Sequence, residues 1–289
     1  MNSLSQVAVV TDSTHCVPQA LLDRWEIPQV SLYVGWGGDL KPENTYEDLD
    51  AFYVRLAESA DLPVTSQPSV GDFLAVFEPL AAAGRDIVSI HIAGGLSGTC
   101  ESGREAARIV AEQHSVRAEI IDGQSGAGGL GLQVIAAARA AETGADVDTV
   151  VEAVRSARAT LDIWFALDTL EYLRRGGRIG AAQALVGSAL KIKPILPFGT
   201  EIVPVGRVRT RRRAFERMVA YLHELHDRGA TDWIVQHAQA HDDAERLVAE
   251  GTAIFGTEPL FCTQVGPVLG AHLGSGMLVG GMGTSGTPE

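Results

Sequence analysis

Cysteine is scarce in this chain. The three copies among 289 residues, Cys16, Cys100 and Cys262, are far apart, odd in number and free of any C-x-x-C pair. Neither a disulfide framework nor a zinc site is indicated, no resident metal is expected, and the cytosol is the natural compartment. Positive charge is also in short supply, with 23 Lys and Arg against 36 Asp and Glu, a formal net charge of −13 and a pI near 5.0. Neutralising a nucleic-acid backbone takes a surplus of cations, so no nucleic-acid partner is expected. A small anionic ligand is still compatible with this balance, because a local site can oppose the global sign. No apolar stretch approaches the length of a membrane span, no internal repeat is visible, and Met1-Asn2-Ser3-Leu4-Ser5-Gln6 lacks the basic region of a secretory signal. The expectation is a chain without leader or membrane anchor.

What is present is an alternation of strand-like and helix-like segments. Residues 7–10 form a buried-strand run that enters a turn at Thr11-Asp12-Ser13-Thr14, with a helix from Pro18. Residues 30–34 read as a second strand, 46–58 and 70–83 carry helical periodicity, 87–92 is a strand, 100–113 a helix and 118–121 a further strand. This order implies an α/β domain, a mostly parallel sheet covered by helices on both faces. Beyond a helix over 147–158 come a strand at 163–167 and a short helix closed by a glycine stop at Arg175-Gly176-Gly177-Arg178. Residues 194–198 and 202–208, separated by Gly199-Thr200, suggest an antiparallel hairpin. A helix over 211–228, a strand at 233–235, a helix over 243–250 and apolar segments at 260–265 and 277–279 complete a second α/β unit with a mixed sheet. Two α/β domains are expected, 1–157 and 158–289, with 283–289 as a loose tail.

Two hydroxyl-rich segments carry the functional question, Thr65-Ser66-Gln67-Pro68-Ser69 and Leu96-Ser97-Gly98-Thr99, the latter at a strand-to-helix turn. Hydroxyls there are suited to gripping an oxyanion, and are weak nucleophiles without an adjacent base. Ser69 with Asp72 three residues on fits a helix start. Thr65 and Ser66 are left on a stiff loop before Pro68, which holds the residue preceding it extended. Gly95-Leu96-Ser97-Gly98-Thr99 approaches the G-x-S-x-G nucleophile elbow, and Asp168 and His272 follow in the chain order of an α/β-hydrolase triad. Against a serine hydrolase, too few strands precede Ser97 and Thr99 replaces the last glycine. A third reading makes Ser97 the cap of the helix that follows, although Cys100 stands where a capping box has Glu or Gln.

Other motifs read more blandly. Gly126-Ala127-Gly128-Gly129-Leu130-Gly131 matches G-x-G-x-x-G, but the acidic region around Asp146 and Asp148 is a helix-to-helix junction and not a second strand end, so close helix packing is favoured over a dinucleotide. His223 with His226, and His237 with His241, have metal-like spacings without a complete ligand set. Arg207, Arg209, Arg211, Arg212 and Arg213 form the one dense basic run of an acidic protein. It reads either as a solvated face or as a docking patch for an anionic partner or lipid surface. His272 lies in Gly270-Ala271-His272-Leu273-Gly274, read as a flexible loop that allows close ligand approach.

Taken together, Thr11-Asp12-Ser13, Thr65-Ser66-Gln67-Pro68-Ser69, Leu96-Ser97-Gly98-Thr99, the Arg175-Gly176-Gly177-Arg178 core of residues 170–179, Lys193-Pro194-Ile195-Leu196 and Gly270-Ala271-His272 resemble, in order and spacing, the DegV family of fatty-acid-binding proteins. That family includes the lipid-presenting subunit of bacterial fatty acid kinase. The resemblance implies two α/β domains with a long-chain fatty acid held between them as ligand and no cofactor. It places the carboxylate on Thr65, Ser66 and Ser97 with His272 close by, and Gly98 and Arg174 near the head group. Arg207, Arg209 and Arg212 fall in the segment associated with partner or membrane contact. A separate ATP-dependent kinase would make the acyl phosphate, so the chain itself would not be the catalyst. The pattern departs at Leu273 and Ser275, where Thr and Pro are usual, and at Cys100, where Tyr is common.

Overall fold

The structure, a computed structural model, describes residues 6–185, 192–199 and 205–283. Most of the expected tail and the first part of the expected strand at 202–208 lie outside the described residues, as does Thr200. The chain divides into two compact units, Met1–Tyr33 with Ser66–Ala159, and Val34–Thr65 with Thr160–Glu289. An N-terminal unit running unbroken to residue 157 was expected from the sequence; instead residues 34–65 go with the second unit.

The first unit is built on four parallel strands in the spatial order Gln29–Val30, Val7–Asp12, Asp86–His91, Ala118–Asp122. Every residue of Val7–Asp12 is buried, as a strand covered on both faces must be. On one face Phe73, Phe77 and Ala81 of helix Val70–Ala82 join Ala106, Ala107 and Val110 of helix Thr99–Gln113 over Val10 and Ile87. Helix Ala127–Glu142 packs on the strands Val7–Asp12 and Asp86–His91 and is buried around most of its circumference. The G-x-G-x-x-G residues open this helix, where Gly128, Gly129, Leu130 and Gly131 are all buried, and the segment after it is another helix, Val147–Thr160. The strand with a terminal acid that a dinucleotide site needs is therefore replaced by a helix.

The second unit carries a six-stranded mixed sheet in the order Gly206–Val208, Lys193–Pro197, Asp162–Leu167, Gly276–Gly283, Ala230–Ala238, Cys262–Gln264. All pairs are antiparallel except the last. The antiparallel pairing expected of these two segments is present over Gly206–Val208, with Arg207 opposite Pro194. Helices Arg211–Asp227 and His241–Phe255 cover one face through Phe215, Met218, Tyr221, Leu222 and Leu247 over Trp233 and Val235.

The single strand expected at 30–34 is split between the units. Gln29–Val30 pairs with Val7–Asp12, while Tyr33–Trp36 joins Asp39–Pro42 and Val64–Ser66 in a small separate sheet. Residues 34–65 belong with the second unit because their anchors are there. Tyr53 Oη donates to Val265 O at 3.0 Å, Glu43 Oε1 accepts from Val268 N at 2.8 Å, and Phe52, Tyr53 and Leu56 of helix Leu49–Glu58 are buried.

Helix His241–Phe255 approaches the sheet closely at Gly251, where an added Cβ would overlap the buried indole of Trp233. Alanine at a helix interior is worth about 1 kcal/mol over glycine, whereas overpacking a tight core costs about 1–3 kcal/mol. Gly251→Ala is expected to lower unfolding stability by up to about 2 kcal/mol, the overpacking cost less the helix gain. A urea midpoint equal to or above that of the parent would show that Trp233 has room to yield.

Candidate functional site

In the parallel sheet, Val7–Asp12 and Asp86–His91 are neighbours, and their outgoing connections run to opposite edges, one to Gln29–Val30 and the other to Ala118–Asp122. This is a topological switch point, where a crevice opens outside the carboxyl ends of the strands. The residues there are Asp12 and the turn 92–98 that bears Ser97.

Asp12 is fully buried. Its carboxylate accepts from Thr14 N at 2.9 Å, Thr14 Oγ1 at 2.6 Å, Ile92 N at 2.8 Å and His91 Nδ1 at 3.2 Å. Burial pushes its pKa up, but the His91, Thr14 and Ile92 hydrogen bonds outweigh burial and hold it below the usual carboxylate range. His91 Nε2 in turn meets Ser89 Oγ at 2.7 Å. The connectivity is that of a Ser-His-Asp relay, yet Ser89, His91 and Asp12 are all 0% exposed, so no substrate reaches Ser89. Sequence reasoning missed this relay. Its signal was a serine and a histidine on alternate positions of an otherwise apolar strand.

Ser97 Oγ pairs with Thr99 Oγ1 at 2.8 Å. The cap of helix Thr99–Gln113 is Gly98, which offers no side-chain acceptor, so Ser97 is not the helix cap. Ser69 is one, with Asp72 completing the capping box: Asp72 N donates to Ser69 Oγ at 3.2 Å and Ser69 N to Asp72 Oδ2 at 2.8 Å. From the first hydroxyl segment Gln67, a residue without an assigned role in the sequence reading, reaches the turn that bears Ser97. Its amide lies so close to Gly98 that a Cβ there would overlap it, and its Nε2 donates to Ser102 Oγ at 3.1 Å. The exposed Ser66 donates to Gln67 O at 3.2 Å.

Thr65 and Ser66 stand on the short strand Val64–Ser66 and not on a loop. In the second unit Thr65 Oγ1 meets His272 Nε2 at 2.8 Å. His272 likewise is not on a flexible loop but in the last turn of helix Pro267–Leu273, which Pro267 opens and Gly274, at φ +66, ends. Glu43 places its carboxylate at the start of this helix, on Val268 N. The Nδ1 of His272 is buried without a hydrogen-bond partner among the described residues, and Gly176 is needed beside it because a Cβ there would overlap Nδ1. Burial first, and then the nearby Arg178 charge, depress the His272 pKa to about 4, so the ring is neutral at pH 7.

Most of the remaining candidates have partners of their own. Arg174, in the short helix Glu171–Arg175, forks onto Glu171 at 2.7 and 3.1 Å. Asp168 is paired with Lys193 and accepts from Ser275 Oγ at 2.9 Å. Burial would raise the Asp168 pKa, and these partners bring it below the ordinary value. Among the described residues no hydrogen bond joins Asp168 to His272, so the base-orienting contact of a hydrolase triad is missing. Arg211 is paired with Asp243, and Arg212 and Arg213 with Glu216 at 3.5 and 3.2 Å. Arg207 and Arg209 are exposed and have no ion-pair partner among the described residues. His223 and His226 are exposed, His241 pairs with Asp50 at 3.1 Å, and no group of three metal-ligating side chains occurs among the described residues. No helix among them is long and apolar enough to cross a membrane.

Comparison with known proteins agrees with this architecture. A DegV domain-containing protein of Streptomyces coelicolor is 38% identical over 276 residues, covering 94% of this chain and 96% of that one. The crystal structure of DegV from Bacillus subtilis, a fatty acid binding protein, superposes with a TM-score of 0.86 at 30% identity, over 97% of this chain and 100% of that one. A fatty-acid-binding DegV family protein from Thermus thermophilus gives 0.84 at 28% identity, over 96% and 98%. The family model of DegV, a family of uncharacterised proteins, matches residues 6–280, and the chain therefore belongs to the DegV family.

Proposed function

We propose that this chain is a carrier that binds a long-chain fatty acid, holding its carboxylate with the hydroxyls of Thr65, Ser66 and Ser97 and with His272 alongside. Gly98 and Arg174 complete the head-group end in this reading. The bound acid is presented to an ATP-dependent fatty acid kinase, which forms the acyl phosphate, and this chain contributes no catalytic group. The observation that carries the reading is the setting of Ser97, a hydroxyl at a switch-point crevice whose partner is another hydroxyl and not a base. Such a group donates to an anion and does not attack. The fatty-acid-binding relatives from Bacillus subtilis and Thermus thermophilus support the ligand class.

Tail burial is worth about 0.8 kcal/mol per methylene, against about 1.5–3 kcal/mol for a hydrogen bond to a charged group. Affinity then comes from the tail and orientation from the hydroxyls.

Lipid released on denaturing the purified protein is expected to be long-chain fatty acid by mass spectrometry. Ser97→Ala is expected to weaken fatty-acid binding about tenfold, in line with loss of one charge-assisted hydrogen bond, with the melting temperature kept. Recovery of no fatty acid, or unchanged affinity in the variant, would remove the carboxylate role.

Because burial keeps His272 neutral down to about pH 4, its ring acts as a hydrogen-bonding group and not as a cation. Affinity is expected to stay nearly flat between pH 6 and 8, whereas a required imidazolium of ordinary pKa would cost about tenfold per unit above pH 6.5. Titration calorimetry across that range decides between them.

Arg207 and Arg209 are proposed as the contact for the kinase or an anionic membrane surface. Reversing both to glutamate is expected to reduce retention on phosphatidylglycerol vesicles at low salt, or capture of the kinase. Unchanged retention and capture at every salt concentration would leave the basic run as a solvated face.

A further inference from the structure

The turn that carries Ser97 contains Gly94-Gly95 and Gly98, a composition that by itself leaves the backbone loose. Yet three successive N–H groups at its start are fixed. Ile92 N donates to Asp12 Oδ2 at 2.8 Å, Ala93 N to Ser125 O at 2.8 Å, and Gly94 N to Asp122 Oδ1 at 3.1 Å. Asp12 and Asp122 are the last residues of the two strands that flank Asp86–His91. Each also ties down its own turn, Asp12 through Thr14 and Asp122 through Gln124 N at 2.9 Å. At Gly94 the fit is close, since a Cβ would come within 2.9 Å of Asp122 Oδ2. Further along, Leu96 N and Ser97 N both return to Ala93 O, at 2.9 and 3.2 Å, so the orientation of residues 92–94 is passed directly to Ser97.

We propose that Asp12 and Asp122 are positioning residues, a pair of carboxylates that clamp the start of the glycine-rich turn from both sides and so aim the Ser97 hydroxyl at a ligand carboxylate. The inference rests on the carboxylate-holding role given to Ser97 above. The clamp uses the two aspartates as hydrogen-bond acceptors. At Asp122 a single oxygen takes both Gly94 N and Gln124 N, so an amide oxygen can replace it. At Asp12 both oxygens are engaged by donors, so an amide would set an NH2 group against an N–H or O–H.

The half-buried Asp122 is therefore the position to vary. Delipidated full-length protein is titrated with palmitic acid and with hexadecanol, which share a tail and differ in the head group, for the parent and for Ser97→Ala, Asp122→Ala and Asp122→Asn. The expected result is that Asp122→Ala weakens palmitic acid about tenfold, as Ser97→Ala does, while hexadecanol changes less than about twofold, and that Asp122→Asn stays close to the parent for both. A merely structural role would move both ligands together. If Ser97→Ala removes the preference for acid over alcohol and Asp122→Ala keeps it, or if Asp122→Ala weakens both ligands equally, the clamp is overturned and the carrier reading stands. If Ser97→Ala leaves the preference intact, the reading of Ser97 fails and the clamp fails with it.

Discussion

A carboxylate withdrawn from water must find its hydrogen-bond donors within the protein, because burial alone would drive it to the neutral acid. Asp12 finds them in its own turn, at Thr14, and on the adjacent strand and turn, at His91 and Ile92. The cost of dehydrating one charge is offset only when both strand ends are in place together. The edge of the sheet that faces the crevice is organised around this demand. Ser89, His91 and Thr14 would otherwise be polar groups stranded in an apolar interior.

The groups proposed to meet the ligand have the opposite character. Thr65, Ser66 and Ser97 are neutral hydroxyls, and His272 is kept neutral by burial. Three cations of the second unit are engaged with acids of their own, Arg174 with Glu171, Lys193 with Asp168 and Arg211 with Asp243. On the proposed reading a lipid carboxylate meets dipoles and not an ion pair. Its negative charge is left available to a second enzyme, and release does not have to break a salt bridge.

What was legible in the sequence was whatever is decided locally. Ser69 and Asp72 are three residues apart and form the cap their spacing implies; the strand and helix order of both sheets follows from short periodic segments. The features that escaped depend on partners far away in the chain. His272 looked like part of a glycine loop because the group at the start of its helix, Glu43, is 225 residues from the nitrogen it accepts from. Thr65 and Ser66 looked like loop residues because their strand is completed by Tyr33–Trp36. The Asp12–His91 contact spans 79 residues, and nothing in Thr11-Asp12-Ser13 alone indicates it. Gln67 was quoted within a motif, but its closeness to Gly98 is a property of two turns meeting in space.

The path of the chain adds a constraint on synthesis. It leaves the first unit after Tyr33, returns at Ser66 and leaves again after Ala159, so neither unit is a continuous piece of sequence. Helix Leu49–Glu58 emerges from the ribosome with Phe52, Tyr53 and Leu56 ready to be buried, but the Val265 carbonyl that receives Tyr53 is made more than two hundred residues later. Until that stretch is made this segment is an apolar surface waiting for its partner, so a contact far along the chain sets the moment at which it can be sheltered.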